Sequence, residues 1–135
     1  MCGQAGRPAA GRADRVAGFA VVLGEPDYRD LAARRPSLLP HRCDGYPAYL
    51  AHAHRRLAAA YDDGKLVLIG PFLPDQYESY AEAIGMPPGG LRALRAYHDY
   101  VARAGPHTRA WTGEPIKEVV ARLRAVTAES PADRR

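Results

Sequence analysis

Acidic and aromatic side chains recur close behind the short apolar runs of this chain. The acidic residues are Glu25, Asp27, Asp75 and Glu114. The aromatic residues are Tyr28, Phe72, Tyr77 and Trp111. Carboxylates among aromatic rings suit a sugar, a nucleoside or a cation, and one carboxylate of such a set can act as general acid, general base or nucleophile. We therefore take the four acidic residues as candidate catalytic residues and the four aromatic ones as candidate ligand-binding residues.

A bare phosphate ligand is a poor match to this set, because carboxylates repel it. The chain also contains neither the G-x-x-x-x-G-K-[ST] loop nor the G-x-G-x-x-G loop that cradles phosphate groups. The chemistry indicated is that of a neutral or cationic ligand.

Two turns of similar sequence carry most of these residues. They read V-L-G-E-P-D-Y at 22–28 and L-I-G-P-F-L-P-D-Q-Y at 68–77. In each turn, Gly permits a sharp bend, Pro sets φ and Asp can cap a helix, which is ordinary punctuation between a strand and a helix. Their position also allows a functional interpretation, because ligands bind beyond the carboxyl ends of parallel strands.

The apolar runs before the turns, Val16–Leu23 and Lys65–Ile69, are typical of strands buried on both faces. About 40 residues separate them, enough for the helical crossover that parallel pairing requires. We therefore predict two adjacent parallel strands. Residues 107–112 alternate weakly and leave a third strand open; if it forms, it brings Trp111 and Glu114 to the same sheet edge as the turns.

Helical spacing fills most of the remaining chain. Asp27 is the predicted N-cap of a helix that ends at Pro36, and Asp75 with Glu78 forms a predicted capping box for a helix that ends before Gly85. The other predicted helices run from Pro47 to about Asp62, from Leu91 to Ala104 and over 114–129. The order β-α-α-β-α-α-(β)-α predicts an α/β fold with a small parallel sheet of two or three strands covered by helices.

Length and composition indicate one domain over 16–128, with polar, aperiodic tails at 1–15 and 129–135 that we expect to be flexible. The chain has no run of about 18 apolar residues and no signal-peptide pattern, which predicts a cytoplasmic protein that does not enter a membrane. The 17 Arg against 2 Lys, with abundant Ala, Gly and Pro, are typical of GC-rich coding, as in actinobacteria.

Nucleic acid is not an expected partner, although the net charge is +4. Residues 1–15 and 131–135 together carry +3 of that charge, so the rest of the chain is nearly balanced. A surface that neutralises phosphates needs several cations on one face.

We expect no metal site and no cofactor. His52 and His54 are two residues apart, so on a helix they point about 200° away from each other and cannot clamp one ion. Cys2 and Cys43 show no zinc or disulfide spacing. A histidine on an apolar helix stripe, as His54 and His98 are, is more often a hydrogen-bonded core residue than a ligand.

The leading hypothesis is a small cytoplasmic binding or accessory domain with a regulatory role, which contacts a protein partner or itself. An exposed set of tyrosines, such as Tyr46, Tyr49 and Tyr100, would suit a protein contact. A small-molecule ligand is compatible with this hypothesis. The alternative is a small enzyme acting on a nucleoside-like or glycosidic substrate at the carboxylate-rich strand edge, so the question of catalysis stays open until the four carboxylates are located.

Overall fold

Three strands and five α-helices make up the part of the chain that the computed structural model describes, residues 15–39 and 45–128. In chain order they are β1 (Val16–Val22), α1 (Glu25–Arg34), a 3₁₀ turn (Pro36–Leu38), α2 (Tyr46–Asp62), β2 (Leu66–Phe72), α3 (Pro74–Ala83), α4 (Leu91–Ala104), β3 (Arg109–Ala110) and α5 (Ile116–Ala128). The predicted α/β class and the predicted element order are therefore confirmed.

The predicted tails lie outside the described residues, with one exception. Arg15 is described, and its carbonyl accepts a hydrogen bond from the Leu66 N–H (2.7 Å) while its guanidinium pairs with Asp63 (2.7 Å). The folded part of the chain therefore includes Arg15. Cys2 and Cys43 also lie outside the described residues.

β1 and β2 are adjacent and parallel, as predicted, in a register that sets Val16 opposite Leu66 and Val22 opposite Phe72. β2 continues three residues past its predicted end, through a proline. The carbonyl of Val67 points towards β3, where it accepts a hydrogen bond from the Trp111 N–H. Backbone groups of every second residue point to the same side of a strand, so the nitrogen of Pro71 also points towards β3 and away from β1. β3 pairs only with Leu68 and Ile69, so the missing N–H of Pro71 breaks no ladder hydrogen bond.

β3 lies on the other side of β2 and is antiparallel to it, with Ala110 opposite Leu68 and Arg109 opposite Ile69. The sheet order is β1-β2-β3, so the sheet is mixed and the prediction of an all-parallel sheet is wrong at this strand. Only residues 105–108 separate α4 from β3. A parallel strand would require the chain to return first to the amino end of β2, and this connection is too short for that.

Helices cover both faces of the sheet. Adjacent residues of β1 point to opposite faces, so Val22 and Val21 belong to different cores. The core beneath α1, α3 and α4 includes Val22, Tyr28, Phe72, Tyr77 and Tyr97. The core beneath α2 and α5 includes Val21, Leu57, Ile69, Trp111 and Leu123.

Helical spacing groups Leu91 and Ile84 with the inward-facing side chains of their helices, but Leu91 is 58% exposed and Ile84 is 38% exposed. Leu91 begins α4, and Ile84 directly follows the last residue of α3. Each therefore lies at a helix terminus, and Ala93 takes the buried position in the first turn of α4.

Gly18→Ala is expected to destabilise the protein by about 1–3 kcal/mol, the usual cost of overpacking a core. A Cβ at Gly18 would lie 2.5 Å from Cβ of Ala102 and 2.6 Å from the backbone O of His98. Urea unfolding at pH 7 measures the loss. Gly89→Ala is the control, since its Cβ would have only ordinary contacts at 3.9 Å; equal costs for the two variants would contradict the close approach of α4 to β1.

Candidate functional site

The predicted carboxylates at the first two turns are exposed and do not cap their helices. Glu25 and Asp27 lie in the first turn of α1, and Asp75 lies in the first turn of α3. The N-cap positions are Gly24 and Leu73, without side-chain cap hydrogen bonds, so the predicted cap at Asp27 and the predicted capping box at Asp75 are wrong. Each helix begins earlier than predicted because its proline fits the first helical turn.

Glu114 lies towards the opposite end of the sheet. The N–H of Trp111 donates to the Val67 carbonyl (2.8 Å), so the chain after β3 runs towards the amino end of β2. Glu25, Asp27 and Asp75 lie at the carboxyl ends of β1 and β2. The length of β2, six steps of about 3.3 Å or roughly 20 Å, separates the two ends. The four carboxylates therefore do not converge on one pocket.

Glu114 has a structural role at the entry to α5. Its carboxylate accepts hydrogen bonds from the N–H (2.9 Å) and hydroxyl (3.0 Å) of Thr112 and pairs with Arg122 at 2.8 Å. Burial acts to raise the pKa of Glu114, but these hydrogen bonds outweigh burial and hold the pKa below its usual 4.5. The carboxylate is already occupied by groups of its own chain.

The four predicted ligand-binding aromatics are buried in the two cores. Tyr28, Phe72 and Tyr77 belong to the core beneath α4, and Trp111 belongs to the core beneath α2. The Tyr77 hydroxyl donates to the Pro88 carbonyl (2.5 Å), and Trp111 Nε1–H donates to the Glu114 carbonyl (2.9 Å). Of these four rings, Phe72 lines a cavity at the edge of β1, and the burial of the set gives no support to a ligand at the strand ends.

The structure instead has a cavity along the free edge of β1, with a volume of about 70 Å³. It lies between α2 on one side and α1, the 3₁₀ turn and α4 on the other. The lining residues are Phe19, Ala20, Val22, Leu31, Leu38, Leu39, Tyr49, His52, Ala53, Arg56, Phe72, Leu94 and His98. Most of these side chains are apolar, and the polar ones come from α2 and α4.

Side chains satisfy the backbone groups that β1 leaves unpaired at this edge. An edge strand leaves the N–H and C=O of alternate residues without a strand partner. Ala20 N–H donates to His98 Nδ1 (2.9 Å), and Val22 N–H donates to the Tyr49 hydroxyl (3.2 Å). The Tyr46 hydroxyl donates to the Val22 carbonyl (2.7 Å). Tyr46 and Tyr49, expected on an exposed surface, are therefore half-buried parts of the sheet edge.

His98 is neutral, and the hydrogen bond from Ala20 defines its tautomer. Because Nδ1 accepts the Ala20 N–H, the ring hydrogen sits on Nε2, which points away from that amide. Burial, with a further contribution from Arg56, lowers the pKa of His98 to about 4. At neutral pH His98 therefore presents an N–H donor, and no group of the described residues accepts a hydrogen bond from it.

Arg56 and His52 complete the polar side of the cavity. The Arg56 guanidinium lies 5.3 Å from the centre of the Phe19 ring, within cation–π range, and pairs with no carboxylate of residues 15–39 or 45–128. Burial and the nearby Arg56 and Arg55 lower the pKa of His52, so His52 is also neutral at pH 7. Among the described residues, the cavity lining thus combines one cation with neutral imidazole groups.

A wider, open groove continues from the cavity along the first half of β1. It shares Phe19, Arg56 and His98 with the cavity. Its remaining lining includes the charged residues Asp63, Lys65, Arg95 and Asp99. Charges of both signs occur here, in contrast to the cavity itself.

Sequence reasoning missed the cavity, although it had singled out some of its residues. Sequence patterns mark four of them: His98 and His52 as histidines on helices, Phe72 as a strand-end aromatic and Tyr49 as a tyrosine suited to a protein contact. The i, i+4 spacing of His52 and Arg56 on a helix is the remaining signal, and by itself it is weak.

No group of three or more His, Cys, Asp or Glu side chains within 15–39 and 45–128 could hold a metal ion. In the same residues, no helix is both long enough and apolar enough to cross a membrane.

The fold and site define a small α/β domain with a mixed three-stranded sheet and a cavity at one sheet edge. The chain belongs to the family described as a domain of unknown function, DUF8829, which matches residues 6–114. No curated protein and no solved structure matches the chain.

Glu114→Gln is expected to cost about 1–3 kcal/mol of unfolding free energy at pH 7, because a charge-assisted network at a side chain only 11% exposed is lost. Asp75→Asn should cost only about a few tenths of a kcal/mol of unfolding free energy, because it removes a negative charge that interacts favourably with the N-terminal end of the α3 dipole. Since the folded pKa of Glu114 is lowered, its contribution is present above pH 4.5 and is lost as the pH falls through the folded pKa. Urea unfolding from pH 7 to 3 measures this, and a pH-independent difference from wild type would contradict it.

His98 should make stability fall as the pH drops from 6.5 to about 4. The unfolded chain takes up a proton near pH 6.5, whereas the folded His98 does so only near 4, so protons favour the unfolded state in this window. The loss is at most about 3 kcal/mol. His98→Asn keeps an acceptor near the Nδ1 position but cannot titrate; we expect it to lack this part of the pH dependence, and an unchanged profile would show that His98 is not responsible.

Proposed function

We propose that this protein is a small binding or accessory domain and that its ligand occupies the cavity at the edge of β1. The observation that carries the proposal is the cavity itself: apolar side chains on three sides, with Arg56 and the free N–H of His98 on the polar side. A concave, mostly apolar site with a few polar groups that converge on it is the usual form of a small-molecule site.

Addition of a strand from another protein is a weaker match to this part of β1. Strand addition uses the free N–H and C=O groups of an edge strand. At Ala20 and Val22, three such groups are already bonded to side chains of α2 and α4. A small ligand that needs no backbone pairing suits this stretch better.

The size of the cavity favours a short ligand. A volume of about 70 Å³ is well below the roughly 300–1,000 Å³ of sites for drug-sized ligands. A few carbon atoms fill it, and any larger body would extend into the adjoining groove.

The alternative hypothesis of an enzyme acting on a nucleoside-like or glycosidic substrate has lost its geometric support. It required the four carboxylates to surround one substrate, and Glu114 lies towards the other end of the sheet. Self-association or a protein partner stays a prediction, supported by the exposed Leu91 and Ile84, and light scattering of the purified protein tests self-association.

We expect 1-butanol, a neutral probe of the cavity, to bind saturably and to shift the backbone amide resonances of Ala20 and Leu94. Ala53→Leu adds three carbon atoms to the cavity wall and should abolish these shifts, because the added side chain occupies the same space. Ala51→Leu is the matched control, being an equal change at an exposed position of the same helix.

Nuclear magnetic resonance titration measures both variants and the wild type, and thermal melting confirms that each variant is folded. The proposed function is wrong if wild type shows no saturable shift at Ala20 or Leu94, or if folded Ala53→Leu responds as wild type does.

A further inference from the structure

We propose that the ligand of the β1 cavity is a short aliphatic carboxylate, whose carboxylate contacts the Arg56 guanidinium and His98 Nε2–H while its hydrocarbon part enters the cavity. This inference rests on the proposed function and adds the chemical class of the ligand.

The sign of the charge at the cavity decides between an acid and an amine. Within the described residues, Arg56 is the one charged residue of the lining, and no aspartate or glutamate contributes to it. A cationic ligand would be repelled by Arg56. The adjoining groove does not reverse this sign, because it adds Lys65 and Arg95 against Asp63 and Asp99. An anion gains an ion pair, and the planar guanidinium fork matches a carboxylate with two parallel hydrogen bonds.

Arg56 is available for this contact. Several arginines of the described residues are engaged in ion pairs, namely Arg15, Arg29, Arg34, Arg35 and Arg122. Arg56 instead rests on the Phe19 ring at 5.3 Å, which orients the guanidinium at the cavity mouth and leaves its donors unpaired within the described residues.

His98 adds a neutral donor whose direction is defined. The bond from Ala20 to Nδ1 holds the ring, so Nε2–H stays on the side away from β1. His98 and Arg56 line both the cavity and the open groove and therefore stand where the two meet. Two donors at this junction place a carboxylate at the mouth and its chain inside.

The interior suits hydrocarbon. Leu31, Leu38 and Leu94 face the cavity together with Phe72. Burying each CH₂ group there is favourable by the transfer of apolar surface from water. The limited volume selects a short chain over a long one.

Three probes of four carbon atoms each separate the contributions: butanoate, 1-butanol and butylammonium. We expect butanoate to bind about tenfold more tightly than 1-butanol, as one exposed charge-assisted contact allows. Butylammonium should bind more weakly than either. Magnetic resonance titration of the Ala20 and Leu94 amides measures all three at pH 7.

Arg56→Gln is expected to lower the affinity for butanoate about tenfold, to the level of 1-butanol. Arg55→Gln removes the same charge from the neighbouring exposed position, which does not line the cavity, and should leave butanoate binding as in wild type. His98→Asn keeps an acceptor for Ala20 but loses the Nε2–H donor, and should weaken butanoate severalfold.

The outcomes distinguish this inference from the function on which it rests. If 1-butanol binds but butanoate binds no better, the carboxylate assignment is wrong and the cavity remains a binding site. If Arg55→Gln and Arg56→Gln weaken the binding of butanoate equally, the binding is due to general electrostatic attraction and not to a specific contact with Arg56. The carboxylate assignment is then also wrong. If neither 1-butanol nor butanoate binds, the proposed function is wrong as well.

Discussion

Helix α4 approaches β1 so closely that residue 18 has no room for a side chain, since a Cβ there would lie 2.6 Å from the backbone O of His98. The same approach brings the His98 ring to the edge of the strand, where Nδ1 accepts the Ala20 N–H. The position of His98 then sets one wall of the cavity. A small residue in β1 is thus the condition for the sheet packing, for the satisfied sheet edge and for the candidate site.

The edge of β1 carries two physical roles at once. Backbone groups of an edge strand must be bonded or remain open to other chains, and here imidazole and phenol side chains satisfy them at Ala20 and Val22. These side chains contact the strand at single backbone groups and do not pair along its whole length as another strand would. Space therefore remains between α2 and α4. Protection of the edge and formation of a cavity follow from the same residues.

Burial determines the charge state of this site. Removing His98 and His52 from water disfavours their cationic forms, and Arg56 acts in the same direction. The positive charge is therefore concentrated on one exposed guanidinium, and the imidazoles act as neutral donors or acceptors. On the function proposed here, such a site would distinguish ligands by charge through Arg56, with the shape set by the apolar walls.

The sequence by itself determined the elements whose patterns are local. The continuous apolar runs predicted β1 and β2 and their parallel pairing, and helical spacing between Gly90 and Gly105 predicted α4 with its bounds Leu91–Ala104. Both patterns show which side chains are buried, because the buried face of one strand or helix is marked by the spacing of apolar residues that are close together in the sequence.

Tertiary structure decided the direction of β3 and, with it, the fate of the predicted site. A strand of two residues carries too weak a pattern to reveal its direction. That direction follows from where the end of α4 brings the chain relative to β2. The cavity was likewise hidden, because its walls come from residues as far apart as Ala20 and His98, 78 positions along the chain. Contacts of that separation depend on how helices dock on the sheet, and no periodicity within one element encodes them.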